Sequence, residues 1–136
     1  MKDWEAAYIA GIIDGEGSIL LTRIHKNEYR RPCITIASTD IELLEFVQSI
    51  IGGAIVKKKN YKPTIHKNSF TLSVKSKRDV LYTLRCIYPY LRVYVKKRRA
   101  IYILDNYDLV TKRNGKYKAE EKLEKIKFEE VFFNLE

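Results

Sequence analysis

The stretch from Tyr8 to Ile19, YIAGIIDGEGSI, decides how this chain is read. Its apolar residues continue a helical pattern in which Ala6, Ile9, Ala10 and Ile13 share one face. Yet it holds Gly11, Gly15 and Gly17, and a glycine inside a helix costs about 0.5–1 kcal/mol relative to alanine. Gly11 and Gly15 lie one turn apart, where two backbones can approach closely. Gly17 suits a C-cap in the left-handed region. Glu16 is the anomaly, because the C-terminal end of a helix disfavours negative charge. A carboxylate there calls for a counter-charge, and a metal ion is the natural candidate. Two other motifs fail. A dinucleotide fingerprint needs G-x-G-x-x-G opening a helix, whereas these glycines close one. An EF-hand needs alternating acids and a later Glu, which Ser18-Ile19-Leu20 does not supply.

Outward from that stretch the chain reads as one domain of 136 residues. At 46% hydrophobic and 32% charged it is globular rather than disordered. Asp3, Glu5 and Asp14 interrupt the N-terminus as no signal peptide tolerates, and no apolar run nears the roughly 20 residues of a membrane span. The expected location is therefore cytoplasmic, or organellar. Cys33 and Cys86 suit free thiols, and two cysteines with two scattered histidines make no zinc site. The net charge of +9 is uneven. Residues 119–136 set three lysines against six glutamates, so the body before them carries +12, which suggests a polyanionic partner.

Asp3 is the expected N-cap of a first helix over 3–14. Strands follow at 18–25 and 32–38, then a helix at 40–51 capped by Ser38 or Thr39 and ended by Gly52-Gly53. Strands at 54–59 and 69–76 precede a helix at 77–90 closed by Pro89, and another at 96–109. A basic linker, 110–118, leads to an amphipathic helix at 119–134. In the fourth strand Phe70, Leu72 and Val74 alternate with Thr71, Ser73 and Lys75. The outer set, with Lys57 and Lys59 from the third strand and Tyr61 and Lys62 from the adjoining loop, combines hydroxyls and cations suited to a DNA major groove.

Ile9 to Gly17, IAGIIDGEG, resembles the nine-residue signature of the LAGLIDADG homing endonucleases, and the α-ββ-α-ββ-α order extends the likeness over about 3–109. The resemblance implies an α+β fold, αββαββα, with a four-stranded antiparallel saddle over DNA and extra C-terminal helices. It implies a single-motif homodimer joined through the motif helix, with Ile9, Gly11, Ile12, Asp14 and Gly15 at the interface. Asp14 satisfies backbone groups near the helix end. Glu16, with the Gly17 carbonyl, binds a divalent metal at the scissile phosphate. Mg²⁺ is the expected cofactor, Mn²⁺ substitutes, Ca²⁺ binds without cleavage, and no small-molecule cofactor is expected. Lys96 matches the family's active-site lysine, with Lys97 as the alternative register. Ser38 stands where many members carry a water-positioning Gln.

Similarity of register turns Tyr29, Arg31, Cys33 and Thr35 toward DNA, with Ile34 and Ile36 inward. On the first strand the choice falls on Thr22, Ile24 and Lys26; Arg98 joins Lys97 as a DNA contact. The implied function is intron-encoded, site-specific cleavage of a long pseudo-palindromic duplex, leaving staggered 3′ overhangs. The alternative is a non-cleaving binder on the same fold, either a splicing maturase with RNA as partner or a transcription regulator. An HNH site needs paired histidines with metal-ligand geometry, against which His25 and His66 stand in hairpin loops without acidic neighbours.

Overall fold

A computed structural model describes all 136 residues. Five α-helices and four strands run in the order α1 (Asp3–Glu16), β1 (Gly17–Thr22), β2 (Arg31–Ser38), α2 (Ile41–Ile51), β3 (Ala54–Lys57), β4 (Phe70–Val74), α3 (Lys77–Ile87), α4 (Tyr94–Val110) and α5 (Ala119–Phe133). A 3-10 turn, Tyr88–Tyr90, holds Pro89. The α+β, αββαββα fold is as the sequence implies. No helix is long and apolar enough to cross a membrane.

The strands form one antiparallel sheet in the order β1-β2-β4-β3. Residues directly opposite in an antiparallel ladder share a face, so the register sorts every side chain. Ile19, Leu21, Ile34, Ile36, Leu72 and Val74 turn toward the helices and are buried. Ser18, Thr35, Ser73 and Thr71 occupy the other face, which no helix covers. The core closes where Ile9, Ala10 and Ile13 of α1 meet that apolar face, with Leu44 and Val47 of α2, Leu84 of α3 and Ile103 of α4 around them. Each fully buried aliphatic side chain contributes about 1.5–3 kcal/mol, so this layer fixes the sheet's orientation.

Several boundaries differ from the sequence reading, each for a local reason. Lys2, not Asp3, is the N-cap of α1, and its backbone N–H donates to Glu5 Oε1 at 2.9 Å. The helix continues to Glu16, and Gly17 is extended (φ −103°, ψ 171°) rather than left-handed. A Cβ at Gly17 would lie 2.8 Å from Ile13 Cα, so close approach of backbone is what demands glycine there. Left-handed conformation belongs instead to Gly52 (φ 80°) and Gly53 (φ 96°), which end α2. Asp40 is the N-cap of α2, while Ser38 Oγ accepts from the Asp40 N–H at 3.0 Å. Helix α3 stops at Ile87, and the chain tightens into the 3-10 turn where Pro89, lacking an N–H, cannot extend the α-helical ladder. Helix α4 begins two residues early because the Asp14 carboxylate accepts from Arg92 and Val93 N–H at 2.9 and 3.1 Å.

Candidate active site and nucleic-acid interface

The C-terminal end of α1 gathers the site. Asp14 accepts its two N–H bonds from the start of α4, so its charge is already engaged. Lys96, in the first turn of α4, returns toward α1 and donates from Nζ to the Ile13 and Asp14 carbonyls, both at 2.8 Å. Those carbonyls belong to the helix's last turn, where partial negative charge collects and a cation is favoured, and the Ile13 carbonyl accepts from the Gly17 N–H as well. Lys96 is thus half-buried and anchored, not a solvated lysine. Glu16 follows immediately, exposed, and forms no ion pair within the chain.

The rest of α1 has two faces. Ile9 is wholly buried in the chain's own core, which removes it from the expected interface. Trp4, Tyr8, Gly11 and Gly15 lie on the opposite, exposed face, with Ile12 half-buried beside them. A Cβ at Gly11 or Gly15 would meet nothing within 4 Å, so nothing inside this chain requires glycine there. Phe46 of α2 continues the face, 6.5 Å from the Trp4 ring and 5.8 Å from that of Tyr8.

No group of three or more His, Cys, Asp or Glu side chains converges in one chain. That donor set nonetheless fits a hard cation such as Mg²⁺, which takes one or two carboxylates and fills its other positions with water and phosphate oxygens. Glu16 offers one carboxylate per chain, adjoined by the Gly17 backbone.

Register decides the sheet's outer face. Thr22 pairs with Arg31, Thr35 with Ser73, and Thr71 with Ala37, so Thr22, Arg31, Thr35, Thr71 and Ser73 share it as expected, with Lys75 one residue beyond β4. Lys57 does not share it. Opposite Phe70, it turns toward α2 and lines a groove with Glu45 and Gln48. Ile55 must face the core, and strict alternation carries Lys57 with it. Val56 takes the outer face, 62% exposed, opposite Thr71. Lys59 lies beyond β3, its ammonium 5.0 Å from the centre of the exposed Tyr61 ring, with Lys62 exposed nearby.

Cys33 has the expected parity but is only 2% exposed, covered opposite Leu20, so it is not a DNA contact in this conformation. Burial pushes its thiol pKa up, opposed by Lys75. β1 ends at Thr22, which leaves Ile24 and Lys26 in an exposed connection rather than on a strand. Tyr29 packs edge-on against Tyr117 at 5.2 Å instead of facing outward. Arg98 donates to the Glu136 carbonyl at 2.6 Å and lies 5.8 Å from the Tyr94 ring, while Lys97 is half-buried. Ser38 sits on the helix-side face opposite Phe70, engaged in the turn into α2. Sequence reasoning missed Ser18, Leu20 and Val56 on the outer face. It also missed Arg99, which reaches the Ile19 carbonyl at 3.2 Å; only the pairing register could have revealed the first three.

Residues 3–123 match the family model described as a LAGLIDADG-like domain. No curated protein matches by sequence. Among solved structures, the homing endonuclease I-CvuI in complex with its target is similar with a TM-score of 0.70 at 19% identity, over 98% of this chain and 83% of that one. The archaeal intron-encoded homing endonuclease I-Vdi141I, complexed with DNA, gives 0.64 at 16% identity, over 100% and 86%. The LAGLIDADG homing endonuclease I-GzeII, in complex with its DNA target, gives 0.64 at 18% identity, over 99% of this chain but 50% of that one. At such identities the structural likeness establishes the fold, while the family rests on the sequence match across most of the chain. With its motif helix at the centre of that fold, this chain belongs to the LAGLIDADG-like family.

Proposed function

We propose that two copies of this chain form a homodimeric, intron-encoded homing endonuclease that cuts both strands of a long pseudo-palindromic DNA site. The observation that carries this reading is the outer face of α1. Gly11 and Gly15 have open space where side chains would stand, and the helix then ends in the unpaired carboxylate of Glu16. A second α1 packed there supplies the close approach that the glycines permit and brings two Glu16 carboxylates together. The chain's match to half the length of I-GzeII supports a unit that needs a counterpart.

The outer sheet face supplies hydroxyls and cations for one half-site. Thr22, Thr35, Thr71 and Ser73 address base edges, while Arg31, Lys75 and the loop lysines address phosphates. Two-fold symmetry makes the site pseudo-palindromic. At the junction, Glu16 and the Gly17 carbonyl would hold a divalent cation. Mg²⁺, or Mn²⁺ in its place, would supply charge neutralisation and a lowered pKa for the attacking water. Lys96 has three N–H donors, of which two are committed to carbonyls. The third is free to stabilise negative charge developing on the phosphate. The products are staggered ends with 3′ overhangs.

The test is selection of cleaved sites from a randomised duplex library in Mg²⁺, with Glu16→Gln and Ca²⁺ as controls. The expected result is one long near-palindromic site, cut by the natural protein and bound uncut by Glu16→Gln or in Ca²⁺. Selection of a site never cut in Mg²⁺ or Mn²⁺ would leave a DNA binder and remove the catalytic role of Glu16.

A further inference from the structure

The connection between β1 and β2 covers the eight residues 23–30, and its tip, Ile24 to Asn27, is exposed at the outer end of the sheet. Little within the connection holds it. Arg23 Nε donates to the Glu28 carbonyl at 3.1 Å, and Glu28 N–H donates to the His25 carbonyl at 3.1 Å. β1 is moreover an edge strand, paired on one side only.

The base of the connection is gripped from outside by the C-terminal segment. Arg30 Nη1 donates to Glu129 Oε1 at 2.6 Å, with the two side chains 30% and 10% exposed. The same guanidinium lies 5.0 Å from the Phe133 ring. Tyr29 packs on Tyr117, whose hydroxyl accepts from the Lys112 N–H at 3.0 Å, and Lys112 in turn pairs with Glu121 at 2.9 Å. These partners of residues 29 and 30 therefore all lie in the linker and α5. The same buried stripe anchors α5 to the body, since Phe128 stacks on Tyr102 of α4 at 5.0 Å and Phe132 is buried in the core. Two acids of the 119–136 segment are used here, Glu129 against Arg30 and Glu121 against Lys112.

We infer that α5 is a specificity brace, in which Glu129, acting through Arg30, fixes the β1–β2 connection over the outer part of each DNA half-site and so sets base preference there. This rests on the endonuclease reading above. Glu129 is a positioning residue: it touches neither DNA nor the reacting phosphate. A held loop presents one set of contacts, whereas a loose one adapts to many sequences at similar affinity.

The experiment compares the full-length natural protein, Glu129→Met, and the charge-exchanged pair Arg30→Glu with Glu129→Arg, each made also with Lys125→Met, because Glu129 is the counter-charge to that buried ammonium as well. Base preference is read position by position from a randomised duplex library, and amide hydrogen exchange is measured on the free proteins. In Glu129→Met, exchange should quicken in residues 23–30 alone. Discrimination should fall roughly tenfold, the scale of one specific base pair, in a single outer block of each half-site, with central preferences and cleavage of the cognate site retained. The exchanged pair should restore both readouts. A merely structural role would lower melting temperature and blur all positions together, and that outcome overturns the brace. An unchanged preference profile with normal selection by the natural protein overturns it as well. If the natural protein selects no site at all, the endonuclease reading fails first and the brace falls with it.

Discussion

Lys125 invites a quantitative test, because a buried ammonium leaves a signature in stability against pH. Its side chain is 1% exposed, donates to Thr111 Oγ1, and lies 4.5 Å from the Tyr107 ring, with Phe128 and Tyr29 at about 6 Å. Burial lowers its pKa from 10.5 to about 8; Glu129 opposes that shift and Lys77 adds to it. The unfolded chain therefore holds the Lys125 proton more tightly than the folded one. Below pH 8 the folded state bears the full penalty of a charged buried group, roughly 3 kcal/mol at 1.36 kcal/mol per pH unit. That penalty is relieved as pH rises through 8 toward 10.5, so stability should rise by about 1.4 kcal/mol between pH 7 and pH 9. Lys125→Met removes the titration, fits the aromatic surroundings, and should be as stable at pH 7 or more so. Cys33 and Tyr107 titrate with raised pKa values, a contribution that is lost as pH climbs, and both proteins share it. The decisive quantity is thus the difference between natural and Lys125→Met unfolding free energies from urea melts at pH 7, 8 and 9. Parallel pH profiles would refute the reasoning, as would a loss of more than about 2 kcal/mol by Lys125→Met at pH 7.

Gly15→Leu meets open space within the chain, so the monomer should keep its fold and gain up to about 1 kcal/mol of helix propensity. Sedimentation should show the dimer lost, whereas a persisting dimer would place the interface elsewhere. Gly17→Ala sets a Cβ against the Ile13 backbone and should cost about 1–3 kcal/mol in a thermal melt. Lys96→Met loses two charge-assisted bonds to α1 carbonyls and should cost about 2–3 kcal/mol. In single-turnover assays it should lower cleavage far more than DNA binding, and equal losses would confine Lys96 to structure.

The parts of the fold written in strong contrast were legible from sequence. The alternation of Phe70, Leu72 and Val74 with Thr71 and Ser73 fixed the faces of β4, and Gly52-Gly53 marked the end of α2 because their positive φ has few other tenants. Where contrast was weak, parity was guessed. Ala54-Ile55-Val56-Lys57 offers two apolar candidates for the core side, and only pairing with Leu72 selects Ile55, which turns Lys57 away from the outer face. Parity alone was also insufficient at Cys33, since burial depends on the neighbouring strands. The grip of Glu129 on Arg30 spans 99 positions, beyond any local pattern.

The electrostatics of the α1 terminus bear on the proposed pairing of two chains. The helix end carries partial negative charge, and Lys96 offsets it by direct contact. The Asp14 carboxylate is held by two N–H groups, leaving Glu16 as the uncompensated charge at that end of α1. A phosphate brought there by the basic body meets like charge, doubly so if a second Glu16 stands beside the first. Two carboxylates and a phosphate are stable together only around a multivalent cation, which gains ligands as each arrives. Metal, DNA and the second copy should therefore bind with positive coupling. Calcium should tighten the complex of the natural protein with its site, and Glu16→Gln should abolish that tightening while leaving metal-free affinity equal or higher. If calcium strengthened binding of both proteins equally, Glu16 would not be the ligand.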